Sequence, residues 1–209
     1  MIISKENILG FEKLYRTNIF NSLSGFKSAN LIGTISKEGK TNLAIFGSVI
    51  HVGANPPLMG FLMRPVSVER HTYTNIKETN HFTINHINGE IFKQAHQTSA
   101  RYEKNISEFD ACSLTPEYSE ISKAPYVKES KIKIGLKFSE EHEIKSNGTI
   151  FIVGEIIEVI VPDEVIANEG YVDIEKAGTI AISGLDSYHD TKRIVRLSYA
   201  KPGSEPNEK

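Results

Sequence analysis

The sequence has few of the residues from which proteins build disulfides and metal sites. It contains one cysteine, Cys112, and no tryptophan. A lone cysteine excludes an intrachain disulfide and any zinc or iron–sulfur site made of several thiolates, and such a residue is most often a small buried hydrophobe. Long apolar runs are also missing: no stretch approaches the roughly 20 residues that span a bilayer, and the first residues lack a signal-peptide core. We therefore expect a cytoplasmic protein with no membrane partner.

A strong excess of charge of either sign is absent as well. The 209 residues include 24 Lys+Arg and 26 Asp+Glu, which gives a net charge of −2. Nucleic-acid binding needs many cations that neutralise phosphates, so we expect no nucleic-acid partner. The length predicts a single domain over residues 1–200. A Pro-, Gly-, Glu- and Asn-rich tail over residues 201–209 is expected to be flexible.

Motifs typical of several enzyme classes are missing. The sequence has no Gly-x-Ser-x-Gly elbow, no Walker A loop and no Gly-x-Gly-x-x-Gly fingerprint. Seven histidines occur, but no two form a His-x-x-x-His pair, so their spacing gives little support to a metal site. Hydrolase, ATPase and metalloenzyme interpretations thus lose their usual sequence support.

Short β-rich segments separated by turn residues predict a mainly β chain of the α+β class. We predict strands at residues 30–36, 42–52, 58–63, 81–87, 130–139, 149–161 and 193–198. The first two form a hairpin, in which Gly39 can adopt positive φ. An acidic, solvated loop is expected at residues 140–147.

Two early helices and one long excursion complete this pattern. Ser67 is a plausible N-cap for a helix that ends near Thr79, and Asn88 is a plausible N-cap for a second helix through residue 98. Residues 99–121 are polar and mixed, and we expect little regular structure there. The helices are expected to pack outside a β-barrel or sheet.

A candidate phosphate site lies where the strand at residues 58–63 meets the first helix. Arg64 and Ser67 stand at this junction. Free N–H groups and the positive end of the helix macrodipole favour a dianion, and an arginine can bind it with two hydrogen bonds. The alternative is a capped helix beside a surface arginine, which the local pattern alone leaves open.

The order of motifs along the chain is more specific than any one of them. A Gly-Thr hairpin, an Asn-Pro-Pro-Leu turn, an Arg-Pro-x-Ser helix start and a Phe-x-x-Asn strand follow one another. The residues concerned are Gly33, Thr34, Gly39, Asn42, Ala44, Phe46, Asn55, Pro56, Pro57, Leu58, Arg64, Pro65, Ser67, Arg70, Thr72, Asn75, Ile76, Thr79, Phe82 and Asn85. This run resembles the flavin reductase-like, FMN-binding split-barrel family, and most closely its flavoredoxin branch.

The resemblance continues beyond these motifs, with two departures. Thr-Ser-Ala, Ser-Glu-Phe and Leu-Thr elements recur in the family's order at residues 98–100, 107–109 and 114–115. His71 stands where the family often has Asp. The stretch before Tyr188 has fewer glycines than in the family, which leaves the role of Tyr188 open.

The resemblance implies a six-stranded antiparallel split barrel of Greek-key topology with helices packed outside. It also implies a homodimer with one FMN at each subunit interface. Carried over residue by residue, it assigns the isoalloxazine and ribityl contacts to Asn42, Phe46, Gly47, Ser48, Val49 and Ile50. It assigns the phosphate contacts to Arg64, Ser67, His71 and Thr72, and further flavin contacts to Thr98 and Ser99.

The implied function is an FMN-dependent oxidoreductase. It would take electrons from NADH, NADPH or a small redox protein and pass them through FMN to an acceptor. Because a flavin carries this chemistry itself, we assign no acid–base catalytic residue. Two alternatives stay open: a non-catalytic FMN carrier or sensor, and a haem-binding or other ligand-binding split barrel, for which His51 would be the axial ligand to test.

Overall fold

The computed structural model describes residues 1–209, in which antiparallel strands dominate and the helices are short. The helices are α1 (Lys5–Leu9), α2 (Lys13–Ser22), α3 (His71–Thr79), α4 (Phe92–Gln97) and α5 (Glu108–Ala111), with a 3-10 turn at Asp163–Val165. The strands are β1 (Lys27–Ser28), β2 (Asn30–Ile35), β3 (Thr41–Phe46), β4 (Ile50–Ala54), β5 (Pro57–Met63), β6 (His81–His86), β7 (Pro116–Glu117), β8 (Tyr126–Val127), β9 (Lys133–Ile144), β10 (Thr149–Ile160), β11 (Ala181–Ser183) and β12 (Ser187–His189).

The main sheet curls into a barrel that no ladder closes. Its strand order is β3-β2-β6-β9-β10-β5-β4, so β3 and β4 lie at opposite edges. Only residues 47–49 separate these two strands in the chain. The path from Phe46 to Ile50 spans at most about 14 Å, so the two edges must approach each other. The predicted split barrel is thereby confirmed.

The main sheet contains seven strands rather than the six expected. Residues 42–52, predicted as one strand, form both β3 and β4. Strand β3 stops pairing with β2 at Phe46, which lies opposite Asn30. The chain must then cross to the other edge of the sheet, where β4 pairs with β5. The one predicted strand thus forms both edge strands of the sheet. We call residues 47–49, which connect β3 to β4, the crossover.

Two hydrophobic cores lie on the two faces of the sheet. On β2, Ile32 points into the barrel, where it packs with Phe61 and Phe82, whereas Leu31 points outward into a second core. The second core lies beneath α4 and α5 and includes Leu43 of β3. Because both faces are covered, strand β2 is buried along almost its whole length.

Both helix starts differ from the prediction. Helix α3 begins at His71, and its N-cap is Arg70, whose side chain makes no capping bond. Ser67 lies exposed in a turn before the helix and is not its cap. Helix α4 begins at Phe92, because the Asn88 side chain accepts from the N–H of Glu90 and forms a turn there instead.

Two predictions about the C-terminal half are also wrong. Strand β9 continues to Ile144 through the expected acidic loop, because its ladder with β10 extends to the Ile144–Thr149 pair. Residues 193–198 form no strand, and only an isolated bridge joins Leu197 to Glu208. The tail folds back, with the N–H of Ser198 donating to the carbonyl of Asn207 at 2.8 Å. The single-domain division and the flexibility of residues 201–209 stay predictions.

None of the helices is both long enough and apolar enough to cross a membrane.

Candidate functional site

The crossover presents unpaired hydrogen-bond donors. The backbone N–H groups of Gly47, Ser48 and Val49 donate to no protein atom. Other groups fix the segment: the Ser48 hydroxyl accepts from the N–H of Leu62 at 3.2 Å and lies 3.3 Å from its carbonyl. The Ser28 hydroxyl donates to the carbonyl of Val49 at 3.3 Å. Three consecutive amides are thus held in place and remain available to a ligand.

Apolar side chains stand beside these donors. Phe46 packs edge-on against Phe61, with ring centroids 4.9 Å apart. Ile182 of β11 approaches from the other side, where its Cγ2 would lie 3.2 Å from a Cβ added at Gly47. A larger residue at position 47 would require Ile182 to shift by a few tenths of an ångström. The site combines a row of donors with apolar side chains on two sides.

A buried acceptor without a partner lies next to the crossover. Asn30 is 1 % exposed and sits opposite Phe46 in the β2–β3 ladder. Its amide group donates to the Ser28 hydroxyl at 2.9 Å, whereas its Oδ1 has no partner. A buried unpaired acceptor costs about 1–3 kcal/mol. A bound N–H or O–H group would remove this cost.

Sequence reasoning missed one charged residue here, Lys27. Its Cε would lie 3.8 Å from a Cβ at Gly47, and its Nζ donates to the carbonyls of Asn21 at 3.1 Å and Gly184 at 2.9 Å. Pairing of β1 with β11 creates this placement and joins segments more than 150 residues apart. No local pattern in the sequence signals it.

The predicted phosphate residues surround the start of α3. The first backbone bond of this helix runs from the N–H of Thr74 to the carbonyl of Arg70, so the N–H groups of residues 71–73 are free. Arg64 and Ser67 are exposed in the loop before it, and His71 is half-buried at its first position. The uncapped helix start therefore keeps its donors for an anion.

Asn42 and Thr72 meet inside the protein. The Asn42 amide group donates to the hydroxyls of Thr72 at 3.0 Å and Thr34 at 3.3 Å, and Asn75 donates to Thr34 at 3.1 Å. These four buried side chains tie α3 to β2 and β3. The Thr72 hydroxyl already accepts a hydrogen bond from Asn42. Its free backbone N–H is therefore the group that could donate to a ligand.

Thr98 and Ser99 form no hydrogen bond with the crossover. Thr98 is buried and its hydroxyl donates to the carbonyl of Ala95 at 2.7 Å, while Ser99 is exposed. Two residues earlier, His96 Nδ1 lies 3.0 Å from the Tyr188 hydroxyl, and Tyr188 pairs with Ile182. Burial, helped by Asp186, raises the pKa of Tyr188 to about 12, so its hydroxyl stays protonated at neutral pH.

A polar cavity of about 210 Å³ is lined by one of the four predicted phosphate residues, His71, and by Asn42. Its lining comprises Ser36, Glu38, Lys40, Thr41, Asn42, His71, Thr74, Asn75, Glu78, Lys104 and Ile106. Nearby, the buried Glu108 carboxylate accepts from the N–H of Leu43 at 3.0 Å, and burial raises the pKa of Glu108. A groove of about 520 Å³ near the C-terminus contains none of the predicted site residues.

Known proteins that are similar to this chain share its barrel. The model of the flavin reductase like domain matches residues 23–177. The chain belongs to this family. A candidate flavin reductase with a split barrel domain from Shewanella frigidimarina NCIMB 400 is 52 % identical to this flavin reductase-like chain. The two superpose with a TM-score of 0.92 over 96 % of this chain and 100 % of the other.

More distant relatives show the same fold. Flavoredoxin of Desulfovibrio vulgaris (Miyazaki F) is 24 % identical, with a TM-score of 0.71 over 86 % of this chain and 92 % of that one. Nitrilotriacetate monooxygenase component B from Bacillus cereus is 20 % identical, with a TM-score of 0.82 over 94 % and 98 % of the two chains. The predicted flavin reductase-like family is thus confirmed. Flavoredoxin shares its fold, and the placement in the flavoredoxin branch stays a prediction.

Proposed function

We propose that this flavin reductase-like chain is an oxidoreductase that binds FMN against the crossover. It takes electrons from NADH, NADPH or a small redox protein and delivers them through FMN to an acceptor. The observation that carries this proposal is the row of free N–H groups at Gly47–Val49 beside the apolar side chains of Phe46 and Ile182. A flavin ring, which is flat and apolar with one polar edge, has the chemistry that such a site accepts.

The described residues fit both ends of FMN. At the ring end, the three amides can donate to carbonyl and nitrogen acceptors, and the unpaired Oδ1 of Asn30 can accept an N–H. At the phosphate end, the free N–H groups of α3 and the Arg64 guanidinium supply donors and positive charge. Ser67 and His71 stand in the same loop and helix start.

When bound, FMN supplies the electron or hydride chemistry, and the chain supplies orientation and electrostatics. Phe46 on one side and Ile182 on the other give the site apolar neighbours. The crossover amides are fixed in advance, so they favour negative charge that develops on the polar edge without having to reorganise. The start of α3 holds the phosphate and thereby sets the position of the ring along the site.

We also propose that the chain acts as a homodimer with FMN at the subunit interface, in the cytoplasm. Exposed apolar residues support the interface: Ile50 and Leu62 beside the crossover are 53 % and 41 % exposed, and Val66 in the loop after β5 is 43 % exposed. Ile50 opens β4, an edge strand with an unpaired side. A monomer in light scattering that still holds FMN tightly would contradict the interface.

The test of the proposed function is the absorbance spectrum of the purified protein, before and after addition of FMN. We expect a yellow protein whose flavin bands bleach when NADH or NADPH is added without oxygen, or when a reduced small redox protein is added. A colourless protein that cannot be reconstituted with FMN overturns the proposal.

Steady-state turnover separates the enzyme from a non-catalytic FMN carrier or sensor. FMN-loaded protein that oxidises no donor, with external flavin as the acceptor, would favour the carrier. A haem site has no structural support, since His51 is exposed on β4 and lines neither cavity. A Soret band in the same spectrum would nevertheless identify one.

A further inference from the structure

Lys27 lies beside the crossover and forms no ion pair. The Lys27 side chain runs past Gly47, its Cε at 3.8 Å from the position of an added Cβ. The ammonium donates to two backbone carbonyls, those of Asn21 and Gly184. No carboxylate oxygen lies within 4.0 Å of the Lys27 Nζ: all six salt bridges in the protein are formed by other residues.

The two carbonyls hold the ammonium without cancelling its charge. Asn21 lies in the last turn of α2, where carbonyl oxygens lack helical partners and the helix dipole is negative. Gly184 lies in the turn between β11 and β12. Both partners are neutral dipoles. The carboxylate of Asp186 lies in the same turn, its Oδ1 at 3.9 Å from a Cβ added at Gly184, but it forms no ion pair with Lys27. The half-buried ammonium therefore has no charged partner in direct contact.

We propose that Lys27 sets the reduction potential of the flavin by favouring its reduced form. This inference rests on the proposed function, which places the flavin ring against residues 47–49. Reduction transfers two electrons from the nicotinamide or redox-protein donor. With one proton, taken from the hydride or from solvent, the neutral ring becomes a reduced anion. An ammonium nearby stabilises the added negative charge and raises the potential.

The competing explanation is that Lys27 only anchors α2 and the β11–β12 turn. Neutral variants separate the two roles. Lys27→Met removes the charge and the donors, and Lys27→Gln removes the charge but keeps an amide donor for the carbonyls. Lys27→Arg keeps the charge. Lys13→Met is the matched control, since it removes an exposed charge from the opposite end of α2.

The experiment measures the midpoint potential of FMN bound to each variant and the Kd for oxidised and reduced FMN. For Lys27→Met and Lys27→Gln we expect the preference for reduced over oxidised FMN to fall about tenfold, which lowers the two-electron potential by about 30 mV. Lys27→Arg and Lys13→Met should stay near the wild-type potential. The Kd of oxidised FMN should change much less than that of reduced FMN.

The outcomes distinguish this inference from the proposed function. Wild-type protein that binds no FMN removes the proposed function, and the inference with it. Wild-type protein that binds FMN, combined with unchanged potentials in the neutral variants, overturns the role of Lys27 alone. A lower melting temperature at an unchanged potential would identify Lys27 as an anchor of α2. If Lys27→Met does not fold, Lys27→Gln decides the question.

Discussion

Replacement of Gly47 by alanine tests the close approach on which the site depends. The added Cβ would lie 3.2 Å from Cγ2 of Ile182, whereas carbon atoms reach their best contact at about 3.5–4.0 Å. Ile182 is buried in the second core, so its side chain can shift only slightly. Overpacking of this kind costs about 1–3 kcal/mol. Because one side chain can give by a few tenths of an ångström, we expect the lower end, about 1 kcal/mol.

The assay is urea unfolding of the FMN-free protein together with a fluorescence titration by FMN. Gly47→Ala should lower the unfolding free energy by about 1 kcal/mol, and it should raise the Kd of FMN about tenfold because β11 is pushed away from the crossover.

Ile182→Leu supplies the control, since leucine lacks the offending methyl group at nearly constant volume. The double variant should recover much of both losses, and the coupling measures the contact itself. Gly47→Ala with wild-type stability and affinity, or a double variant with no recovery, would refute the reasoning.

Three further variants test other parts of the account. Burial lowers the pKa of His86 from 6.5 to about 4. Between about pH 6.5 and pH 4, His86 is therefore protonated in the unfolded chain but neutral in the folded chain. As the pH falls through this range, the unfolding free energy should decrease by up to about 3 kcal/mol. His86→Gln should flatten this part of a urea-midpoint profile against pH, and a persisting slope would exclude His86 as its source. Thr34→Val leaves the amides of Asn42 and Asn75 without their shared acceptor and should cost about 2 kcal/mol in urea unfolding; a loss below about 0.5 kcal/mol would show that the quartet contributes little. Ser67→Ala should change the unfolding free energy by less than about 0.5 kcal/mol, because Ser67 caps no helix. It should weaken the binding of FMN but not that of riboflavin, which lacks the phosphate. Equal effects on both ligands would show that Ser67 is not part of the phosphate site.

The strands were predictable where local sequence and tertiary pairing agree. Strands β2, β5, β6 and β10 combine β-branched or apolar residues with flanking turn residues, and their bounds lie close to the predicted ones. The break between β3 and β4 was not predictable, because residues 42–52 read as one continuous strand. It exists only because Phe46 pairs with β2 while Ile50 pairs with β5.

The motif order singled out the crossover and the start of α3 as the candidate site, and that assignment stays a prediction. The cap at Ser67 was wrong, since Ser67 lies in a turn and Arg70 precedes the helix. The roles of Asn30 and Lys27 depend on partners distant in sequence, namely the β3 edge and the β11–β12 turn. Neither residue belongs to a recognisable local pattern.

The central claim is that FMN binds against the crossover, and its most direct measurement is an FMN titration of the purified wild-type protein monitored by flavin absorbance and fluorescence. The account predicts saturation at one FMN per chain, with flavin bands that bleach on anaerobic reduction. Protein that shows no saturable binding and stays colourless after dialysis against FMN would contradict it.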